Sequence, residues 1–544
     1  MKAAEYLALA LEQLDTQYVF GLPGSTEAPF LDAIVEPRQF EYILTLHENV
    51  TVAMADGYAR GSGKPGIINL HTSVGTANGI SQLYNAYRDQ SPLVVLAGHK
   101  STEIFNREGF CVVESLPEMA RPVSKWSREL NQPEQVIDDF YRAVKIALSP
   151  PYGPVFLSLP ENLMGTTLEK APNLDASGRV FQLDSRPNSA ELKKTAELLQ
   201  QSKHPVIVAG DQVDKYGAVS VLSELAVQLG AVVLREPRRS LTRFTVSSDH
   251  PHFAGEYRLN HPAVTEADCF FMVGCKVFLE FSMPKSPEIP NQVPFIHLHD
   301  DPKEIAKIYP VSIGLLGDTR SALEELLQHG ERKPADWAVS HKQRYAAELE
   351  QESRNVASGF PMSVTEMVKV LSDLLPSDII IVDEGIRSSR PLVRHFPFRE
   401  PNSFHTTSGG SLGWGLPAAV GLQLAQPERR VLAFVGDGSA LFTMQALWTA
   451  ARYNVPAIFL IVNNGGYLAV KAAIHEFKGQ GANQQNYPAS FIHSPAVDYV
   501  RLAEGYGVKG NSVTNKEQLA AALQEALRVN EPRLIEVRVA EEAV

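Results

Sequence analysis

Residues 431–470 read VLAFVGDGSALFTMQALWTAARYNVPAIFLIVNNGGYLAV. Two apolar runs with the composition of β-strands are separated here by one helical run, ALFTMQALWTAARY. The first strand ends in Gly436-Asp437-Gly438, and the second ends in Asn463-Asn464 followed by two glycines. Because ligands bind beyond the carboxyl ends of strands in open α/β sheets, polar residues at two successive strand ends indicate a binding site.

The oxygen atoms expected at these two strand ends suit a hard cation that carries a phosphate. Asp437 offers a carboxylate, Asn464 an amide oxygen and Gly466 a main-chain carbonyl. This set fits Mg²⁺, with Ca²⁺ or Mn²⁺ as substitutes. Ser439 opens the following helix, where its amide and hydroxyl can meet a phosphate. Either motif alone also fits an ordinary loop turn, but the pair, one helix apart, favours a metal–diphosphate site.

Strands and helices alternate along the whole chain, which predicts an α/β fold with parallel sheets covered on both faces. A chain of 544 residues is too long for one core. The periodic pattern breaks at two polar stretches, and we therefore predict three doubly wound parallel-sheet domains at residues 1–172, 189–330 and 360–544. Ser363 is predicted to cap the first helix of the third domain.

Composition excludes several classes of partner. The net charge is −12 and no dense Lys/Arg run occurs, which argues against nucleic acid. No apolar run approaches the roughly 20 residues of a membrane span. The first residues are predicted to form an amphipathic helix, interrupted by Glu12 and Asp15, and not a signal peptide. Three cysteines without a metal-binding spacing suit a reducing cytoplasm, the expected location.

The spacing from Gly436 to Asn464 resembles the diphosphate-binding motif of thiamine diphosphate enzymes. Residues 44–66, LTLHENVTVAMADGYARGSGKPG, resemble the segment that carries the activating glutamate of that family, which falls on Glu48. Residues 406–421, TTSGGSLGWGLPAAVG, resemble the turn whose aliphatic residue bends the cofactor, here Leu412. The resemblance implies pyrimidine-binding, middle and diphosphate-binding domains. It also implies a cofactor-binding set of Glu48, Gly410, Leu412, Gly436, Asp437, Gly438, Ser439, Asn464, Gly466 and Tyr467.

Within that family, the first domain is most similar to the benzoylformate decarboxylase branch. The similarity lies in VFGLPGSTEAPFL, residues 19–31, and IINLHTSVGTANG, residues 67–79. It implies the non-oxidative decarboxylation of a small-molecule 2-oxo acid, with carboligation to an aldehyde acceptor as a competing outcome. Ser25 is expected to bind the substrate carboxylate, and His71 to protonate and deprotonate the intermediates. The substrate pocket is expected to contain Ser25, His71, Phe110, Cys111 and Phe281.

This sequence departs from the branch at one active-site position. The branch has a second active-site histidine, which comes from the middle domain. No histidine lies between Pro262 and His297, and the matching position is Phe281. Ile386 and Arg387 also replace the hydroxyl residues expected near the diphosphate. In the branch that histidine donates a proton to the enamine intermediate, so its loss should slow the protonation that leads to aldehyde release. Phe281→His is therefore expected to raise the ratio of decarboxylation to carboligation on a single 2-oxo acid.

Three other interpretations stay open. An acetolactate-synthase-like carboligase fits ADGYARGSGKPG equally well, although no flavin signature is visible in the middle domain and FAD is not expected. A serine hydrolase would use GGSLG, residues 409–413, with Ser411 as nucleophile and His475 or His493 as base. A non-catalytic binding module of the same fold would lack Glu48. The substrate class, aromatic, branched or small, is not decided by the sequence.

The family resemblance also implies an oligomer. The two domains that grip one cofactor come from different chains in that family, so a homodimer is the expected minimum and a homotetramer, a dimer of dimers, the expected working form. An active sample with the mass of a monomer in light scattering would contradict this.

Overall fold

The computed structural model describes residues 1–181, 183, 185–356 and 359–540 and contains three six-stranded sheets. The first sheet has the strands β1 Tyr18–Leu22, β2 Glu41–Leu44, β3 Gly66–His71, β4 Leu93–His99, β5 Trp126–Glu129 and β6 Val155–Pro160. Their order is β2-β1-β3-β4-β6-β5, and every neighbouring pair is parallel. The accompanying helices are α1 Ala3–Gln13, α2 Ala28–Ala33, α3 Glu48–Ser62, α4 Thr72–Arg88, α5 Leu116–Ala120, α6 Val136–Ala147 and α7 Glu161–Met164. Short 3₁₀ helices occupy Ser25–Glu27, Thr102–Arg107, Arg121–Val123 and Pro133–Gln135.

The second sheet repeats this parallel arrangement. Its strands are β7 Pro205–Ala209, β8 Val232–Arg235, β9 Phe253–Glu256, β10 Cys269–Val273, β11 Phe295–His299 and β12 Ile313–Leu316. They lie in the order β12-β11-β10-β7-β8-β9, again with only parallel neighbours. The helices are α8 Ser189–Gln201, α9 Gln212–Lys215, α10 Val219–Leu229, α11 Pro262–Glu266, α12 Thr319–Leu327 and α13 Asp336–Arg354.

The third sheet contains the two strand ends that carry Gly436-Asp437-Gly438 and Asn463-Asn464. Its strands are β13 Ile380–Glu384, β14 Phe404–His405, β15 Val431–Gly436, β16 Ile458–Asn463, β17 Lys509–Val513 and β18 Arg533–Arg538. β15, β16, β18 and β17 are neighbours in that order. The helices are α14 Val364–Leu374, α15 Ser389–His395, α16 Gly415–Ala425, α17 Asp437–Ala440, α18 Ala446–Arg452, α19 Leu468–Glu476, α20 Gln480–Gln484, α21 Tyr499–Gly505 and α22 Lys516–Arg528.

The predicted fold class, three doubly wound parallel-sheet domains, is confirmed. β4 is buried at every position, and β15 at every position but its last, as expected of strands covered on both faces. Ser363 caps α14 as predicted, because its hydroxyl accepts the amide of Glu366. The strands lie inside the three predicted ranges, whose exact boundaries stay predictions. Residues 541–544, the end of the last range, lie outside the described residues.

The chain divides into two compact units. The first comprises Met1–Leu183, Gly409–Val513 and Ala522–Val537, and the second comprises Asp184–Ser408, Thr514–Ala521 and Arg538–Val544. Within the described residues, no helix combines the length and the apolar character that a bilayer crossing requires.

Inside the first unit, α3 and α16 cross at unusually close range. A Cβ atom on Gly57 would lie 2.2 Å from the carbonyl oxygen of Ala418, and one on Gly421 would lie 1.9 Å from the carbonyl oxygen of Met54. Real Cβ atoms do not approach backbone this closely, so both positions require glycine. The glycines in ADGYAR and LPAAVG are therefore explained by packing.

A buried polar network reinforces the same crossing. Arg60 on α3 forms ion pairs with Asp56, at 2.9 Å, and with Asp89, at 2.8 Å. The indole N–H of Trp414 donates to the second oxygen of Asp56 at 2.6 Å. The guanidinium also lies over the Trp414 ring, 4.7 Å from its centroid. Removing one member would leave a buried charge without its partner, which makes the network sensitive to substitution.

We expect Gly421→Ala to destabilise the protein by about 3 kcal/mol or more, because the added methyl group meets main-chain atoms that cannot rotate away. Urea denaturation followed by circular dichroism measures the loss. Gly505→Ala is the matched control, since a Cβ atom at that helical glycine meets nothing within 4 Å. If Gly421→Ala were as stable as Gly505→Ala, the two helices could move apart enough to accommodate the methyl group, and the prediction would be wrong.

Candidate active site

Asp437 joins the two predicted strand ends. Its carboxylate accepts the amides of Gly438 at 2.9 Å, Gly465 at 2.9 Å and Gly466 at 3.0 Å, and the residue is 3% exposed. The end of β15 and the turn after β16 therefore meet at one carboxylate, as the spacing predicts. The turn is held from its other side because the hydroxyl of Tyr499 donates to the main-chain oxygen of Asp437 at 3.1 Å.

The oxygen atoms around this turn fit a hard divalent cation. The Asn464 side-chain oxygen accepts the amide of Gly466 at 3.2 Å, which places the amide side chain against the same turn. One carboxylate, one amide oxygen and one carbonyl are the donors that Mg²⁺ takes when phosphates complete its shell. Among the described residues, no group of three or more His, Cys, Asp or Glu side chains can hold a metal. Any metal at this turn would thus need amide and main-chain oxygens in addition to the Asp437 carboxylate.

Glycine at position 438 makes room for Tyr467. A Cβ atom on Gly438 would lie 2.4 Å from Cε1 of the tyrosine ring. Ser439, the next predicted phosphate ligand, is 4% exposed at the start of α17. The predicted diphosphate residues thus share one turn region of the first unit, although their role as ligands stays a prediction.

Burial raises the pKa of Asp437 to about 6, despite the three amides that favour the ionised carboxylate. A metal binds the deprotonated form, so protons compete with it below that value. We expect the affinity of the cofactor-free protein for Mn²⁺ to be constant above about pH 7 and to fall roughly tenfold per pH unit below about pH 6. Electron paramagnetic resonance of free Mn²⁺ measures this affinity. Because no cofactor is present, protonation of a diphosphate does not contribute to the pH dependence. Asp437→Asn should bind Mn²⁺ weakly, with an affinity that does not fall as the pH drops below about 6. If the affinity of that variant still fell with pH, Asp437 would not be the group that titrates.

Glu48 is the first residue of α3, as predicted, and is 8% exposed. Its Oε2 accepts the side-chain amide of Asn78 on α4 at 3.0 Å. A Cβ atom on Gly75 would lie 3.2 Å from Oε1 of Glu48 and 3.7 Å from Cβ of His71. Gly75 therefore lies next to both the predicted activating acid and the predicted proton-transfer histidine. The structure brings these two residues together.

The ring of His71 is oriented by Glu27, a residue that the sequence analysis missed. Nδ1 of His71 lies 3.0 Å from Oε2 of Glu27 and 2.9 Å from Oγ1 of Thr26. The Thr26 hydroxyl donates its own proton to Oε1 of Glu27 at 2.7 Å. Because both neighbours of Nδ1 then act as acceptors, Nδ1 carries the proton. In neutral His71, Nε2 is left as the proton acceptor, and it has no hydrogen-bond partner among the described residues.

Ser25 lies beside this group on the Ser25–Glu27 turn. The ammonium of Lys100 donates to its hydroxyl at 3.0 Å. A hydroxyl and an ammonium side by side form a reasonable site for a carboxylate. Lys100 was not predicted as a site residue, and only its place directly after β4 hints at a role.

We expect Glu27→Gln to lower kcat on the order of 10–100-fold with little change in KM, since Glu27 orients a functional histidine and does not itself reach Nε2. Steady-state kinetics on the best 2-oxo acid measures the two constants. Glu27→Asp should recover part of the loss, because it keeps the charge. A change confined to KM would mean that Glu27 serves substrate binding.

The turn that carries Leu412 is held by α4. The side-chain amide of Gln82 donates to the carbonyl of Leu412 at 3.0 Å, and that of Asn85 donates to the carbonyl of Ser411 at 2.9 Å. Gly410 has φ +84°, a conformation that glycine adopts without strain. Leu412 itself is half-buried. These contacts are a second feature that the sequence analysis missed.

The same contacts argue against a serine hydrolase. The closest side-chain partner of the Ser411 hydroxyl is Gln82, at 3.5 Å. His475 bonds the hydroxyl of Tyr487, and His493 bonds the hydroxyl of Ser494. Among the hydrogen bonds of the described chain, none joins Ser411 to a histidine, so the nucleophile–base pair of a hydrolase is not assembled.

The three remaining pocket residues differ in their surroundings. Cys111 is half-buried with φ +61°, and its carbonyl accepts the hydroxyl of Ser73, two residues after His71. Phe110 is 81% exposed, and Phe281, which belongs to the second unit, is 99% exposed. The role of these aromatic rings in a substrate pocket stays a prediction.

Comparison with known families agrees with this geometry. Three models match in succession: the N-terminal TPP binding domain of thiamine pyrophosphate enzymes at residues 1–116, the central domain at 192–326 and the C-terminal TPP binding domain at 387–537. The chain is 34% identical to benzoylformate decarboxylase of Pseudomonas aeruginosa over 98% of both chains. It is 28% identical to the large subunit of acetolactate synthase isozyme 3 of Escherichia coli, covering 99% of this chain and 94% of that one.

A solved structure extends the likeness. The thiamine diphosphate-dependent 4-hydroxybenzoylformate decarboxylase of Rhodococcus jostii RHA1 superposes with a TM-score of 0.88 at 29% identity, covering 100% of both chains. The resemblance found in the motifs therefore extends over the whole length. This chain belongs to the thiamine pyrophosphate enzyme family.

Proposed function

We propose that the protein catalyses the non-oxidative decarboxylation of a 2-oxo acid with thiamine diphosphate and Mg²⁺. The observation that carries this is the position of Gly75, where an added Cβ atom would lie 3.2 Å from Oε1 of Glu48 and 3.7 Å from Cβ of His71. The proximity of a carboxylate and of a histidine whose Nε2 has no hydrogen-bond partner among the described residues supports a shared site for one small ligand. Relatives named benzoylformate decarboxylase and 4-hydroxybenzoylformate decarboxylase support the same reaction class.

Thiamine diphosphate, when bound, supplies a carbon nucleophile and an acceptor for the electron pair released with CO₂. Asp437, Asn464 and the Gly466 carbonyl would hold the Mg²⁺ that binds its diphosphate. Glu48 would hold a proton toward the pyrimidine ring, and Leu412 would contact the bound cofactor.

Ser25 and Lys100 would bind the carboxylate of the substrate. His71, with its Nδ1 proton held by Glu27, would take up and return protons at Nε2. Gly24 allows this approach of the imidazole, since a Cβ atom there would lie 2.4 Å from the ring. Each step assigned to His71 depends on a tautomer that Glu27 and Thr26 maintain.

A panel of 2-oxo acids tests the proposal. The purified protein with thiamine diphosphate and Mg²⁺ is offered benzoylformate, a branched 2-oxo acid and pyruvate, and CO₂ and aldehyde are measured. We expect CO₂ and aldehyde in equal amounts from at least one aromatic or branched acid. His71→Ala should lose most of this activity, whereas Arg501→Ala, which removes an exposed charge, should not. No CO₂ from any 2-oxo acid would refute the proposal.

A second candidate is an acetolactate-synthase-like carboligase. It is favoured by the 28% identity to an acetolactate synthase and by the absence of histidine between Pro262 and His297, which removes one proton donor. The same panel separates the two reactions. Two molecules of pyruvate consumed per CO₂, with no free aldehyde, would identify the carboligase.

A further inference from the structure

The connection between β3 and α4 has an unusual backbone conformation. β3 ends at His71 and α4 begins at Thr72, so the chain passes from strand to helix without a loop. Thr72 has φ +45°, which lies in the left-handed region. Glycine adopts this region freely, but a β-branched residue there is strained. The strain therefore lies directly after the histidine to which the proposed reaction assigns proton transfer.

The Thr72 side chain adds a second unfavourable feature. The residue is 0% exposed, and its hydroxyl is buried without a hydrogen-bond partner among the described residues. A buried hydroxyl in this state destabilises the folded protein, whereas valine, which has almost the same shape, would carry no polar group to satisfy. Two unfavourable features at one residue, next to a functional side chain, indicate a role other than stability.

Contacts on both sides of Thr72 maintain its conformation. On the strand side, β3 is paired with β1 and with β4. On the helix side, the main-chain carbonyl of Thr72 accepts the hydroxyl of Thr76 at 2.7 Å, and the hydroxyl of Ser73 donates to the carbonyl of Cys111 at 2.9 Å. A strained residue persists only where its surroundings fix it in this way. The left-handed turn is therefore a fixed feature of the fold.

The turn sets the direction of the His71 side chain. His71 has the extended values φ −93° and ψ 110°, and the helix starts at the next residue, so a rotation at Thr72 would move the imidazole relative to α4. In the present conformation, Nδ1 of His71 lies 3.0 Å from Oε2 of Glu27. Sharp, strained strand-to-helix turns present the serine nucleophile of α/β-hydrolases in a similar way. Here the turn presents a histidine.

We propose that Thr72 is a positioning residue for His71. Its buried, β-branched side chain holds the left-handed turn in one conformation and thereby keeps the imidazole next to Glu27. The shape of the side chain carries this role, and the hydroxyl does not. Glycine would relieve the strain but would also admit backbone conformations that threonine excludes. The inference rests on the proposed function for the proton transfer at His71, but the position of the imidazole can be tested without it.

Chemical modification tests the position of the imidazole in the cofactor-free protein. Diethyl pyrocarbonate acylates neutral imidazole rings, and peptide mass spectrometry compares the modification of His71 with that of His329, an exposed histidine of the second unit. The His71 side chain is now 19% exposed, so a ring released from Glu27 should react faster. We expect the ratio of modified His71 to modified His329 to rise several-fold in Thr72→Gly and to stay at the wild-type value in Thr72→Val.

Steady-state kinetics on the best 2-oxo acid shows whether this position matters for the reaction. We expect Thr72→Gly to lower kcat on the order of 10–100-fold with little change in KM, because a displaced catalytic group lowers the rate more than the binding of substrate. Thr72→Val should stay within about threefold of the wild type, since it keeps the branched shape. In a His71→Ala background, Thr72→Gly should have no further effect, because Thr72 acts only through His71.

Asn454→Gly is the matched control. Asn454 also has a positive φ, +47°, but it is exposed and lies between α18 and the amino end of β16, at the edge of the sheet opposite to the candidate site. This variant should change neither the modification of His71 nor the kinetic constants. Circular dichroism should show wild-type helix content in Thr72→Gly. Thr72→Ala, which removes the branch and keeps Cβ, should show the same effects and takes its place if the glycine variant does not fold.

Several outcomes would overturn the proposal. The first is a wild-type kcat, or a wild-type modification ratio, in Thr72→Gly. The second is an equal loss of kcat from this substitution with His71 present and with His71 replaced. A large loss of kcat in Thr72→Val would assign the role to the hydroxyl. If no 2-oxo acid is turned over, the proposed function fails, and the modification ratio alone then decides whether Thr72 positions His71.

Discussion

Glu48→Gln should reduce the rate of 2-oxo acid decarboxylation by about 10²–10⁴-fold, the range that a positioned proton-transfer group contributes. Glutamine keeps the shape of the side chain and an oxygen that can accept the 3.0 Å hydrogen bond from Asn78, so α3 should start as before. What it loses is the ability to share a proton with the cofactor. Binding of thiamine diphosphate, measured by calorimetry, should therefore be nearly unchanged while turnover collapses.

The control for this variant is Glu118→Gln, which neutralises an exposed acid of the same domain. Its side chain is 53% exposed and pairs with Arg121 at the surface. If the turnover rate of Glu48→Gln were within about threefold of the wild-type rate, Glu48 would not be the activating acid, since general acid–base catalysis contributes a far larger factor. Loss of cofactor binding together with activity would instead mean that Glu48 holds the cofactor in place.

Asp437→Ala should abolish the Mg²⁺-dependent binding of thiamine diphosphate. The expected loss of affinity exceeds the roughly 10–100-fold that removal of an outer partner of a metal site costs, because Asp437 is the only carboxylate proposed as a ligand. Calorimetric titration of thiamine diphosphate with and without Mg²⁺ measures it. The variant also strips an acceptor from the three glycine amides that the carboxylate now holds.

A folding defect must be kept apart from a loss of binding. Circular dichroism should show wild-type helix content in Asp437→Ala, and Asp437→Asn should show the same binding defect with a smaller local disturbance. Asp15→Ala serves as control, since that carboxylate is 86% exposed and pairs with Lys64. Wild-type affinity with intact Mg²⁺ dependence in Asp437→Ala would place the metal elsewhere.

Much of the fold and part of the site could be predicted because their signals are local. Apolar runs alternate with helical runs over short distances, and this alone indicates three parallel sheets. Asp437 and Asn464 are separated by one helix, so parallel pairing of β15 with β16 brings them to one edge. Glu48 could be placed at the start of a helix from its neighbours in sequence.

The parts that were missed depend on contacts between distant segments. Glu27 meets His71 only because β1 and β3 are neighbours in the sheet, which no local pattern reveals. Gln82 and Asn85 contact a turn more than 300 residues further along the chain. The sequence alone does not show which distant residues are brought into contact. Polar residues inside a helix do not reveal which loop their side chains bond.

The crossing of α3 and α16 limits how this enzyme can be recombined with its relatives. Gly57 and Gly421 each face the main chain of the other helix, so both helices must come from parents that share this close contact. A chimera that joins residues 1–172 of one enzyme to the last domain of another will assemble only if both helices have glycine where they cross. Exchange of the middle domain leaves this helix pair intact but replaces one side of other contacts, such as the hydrogen bond from Arg235 to the carbonyl of Val393.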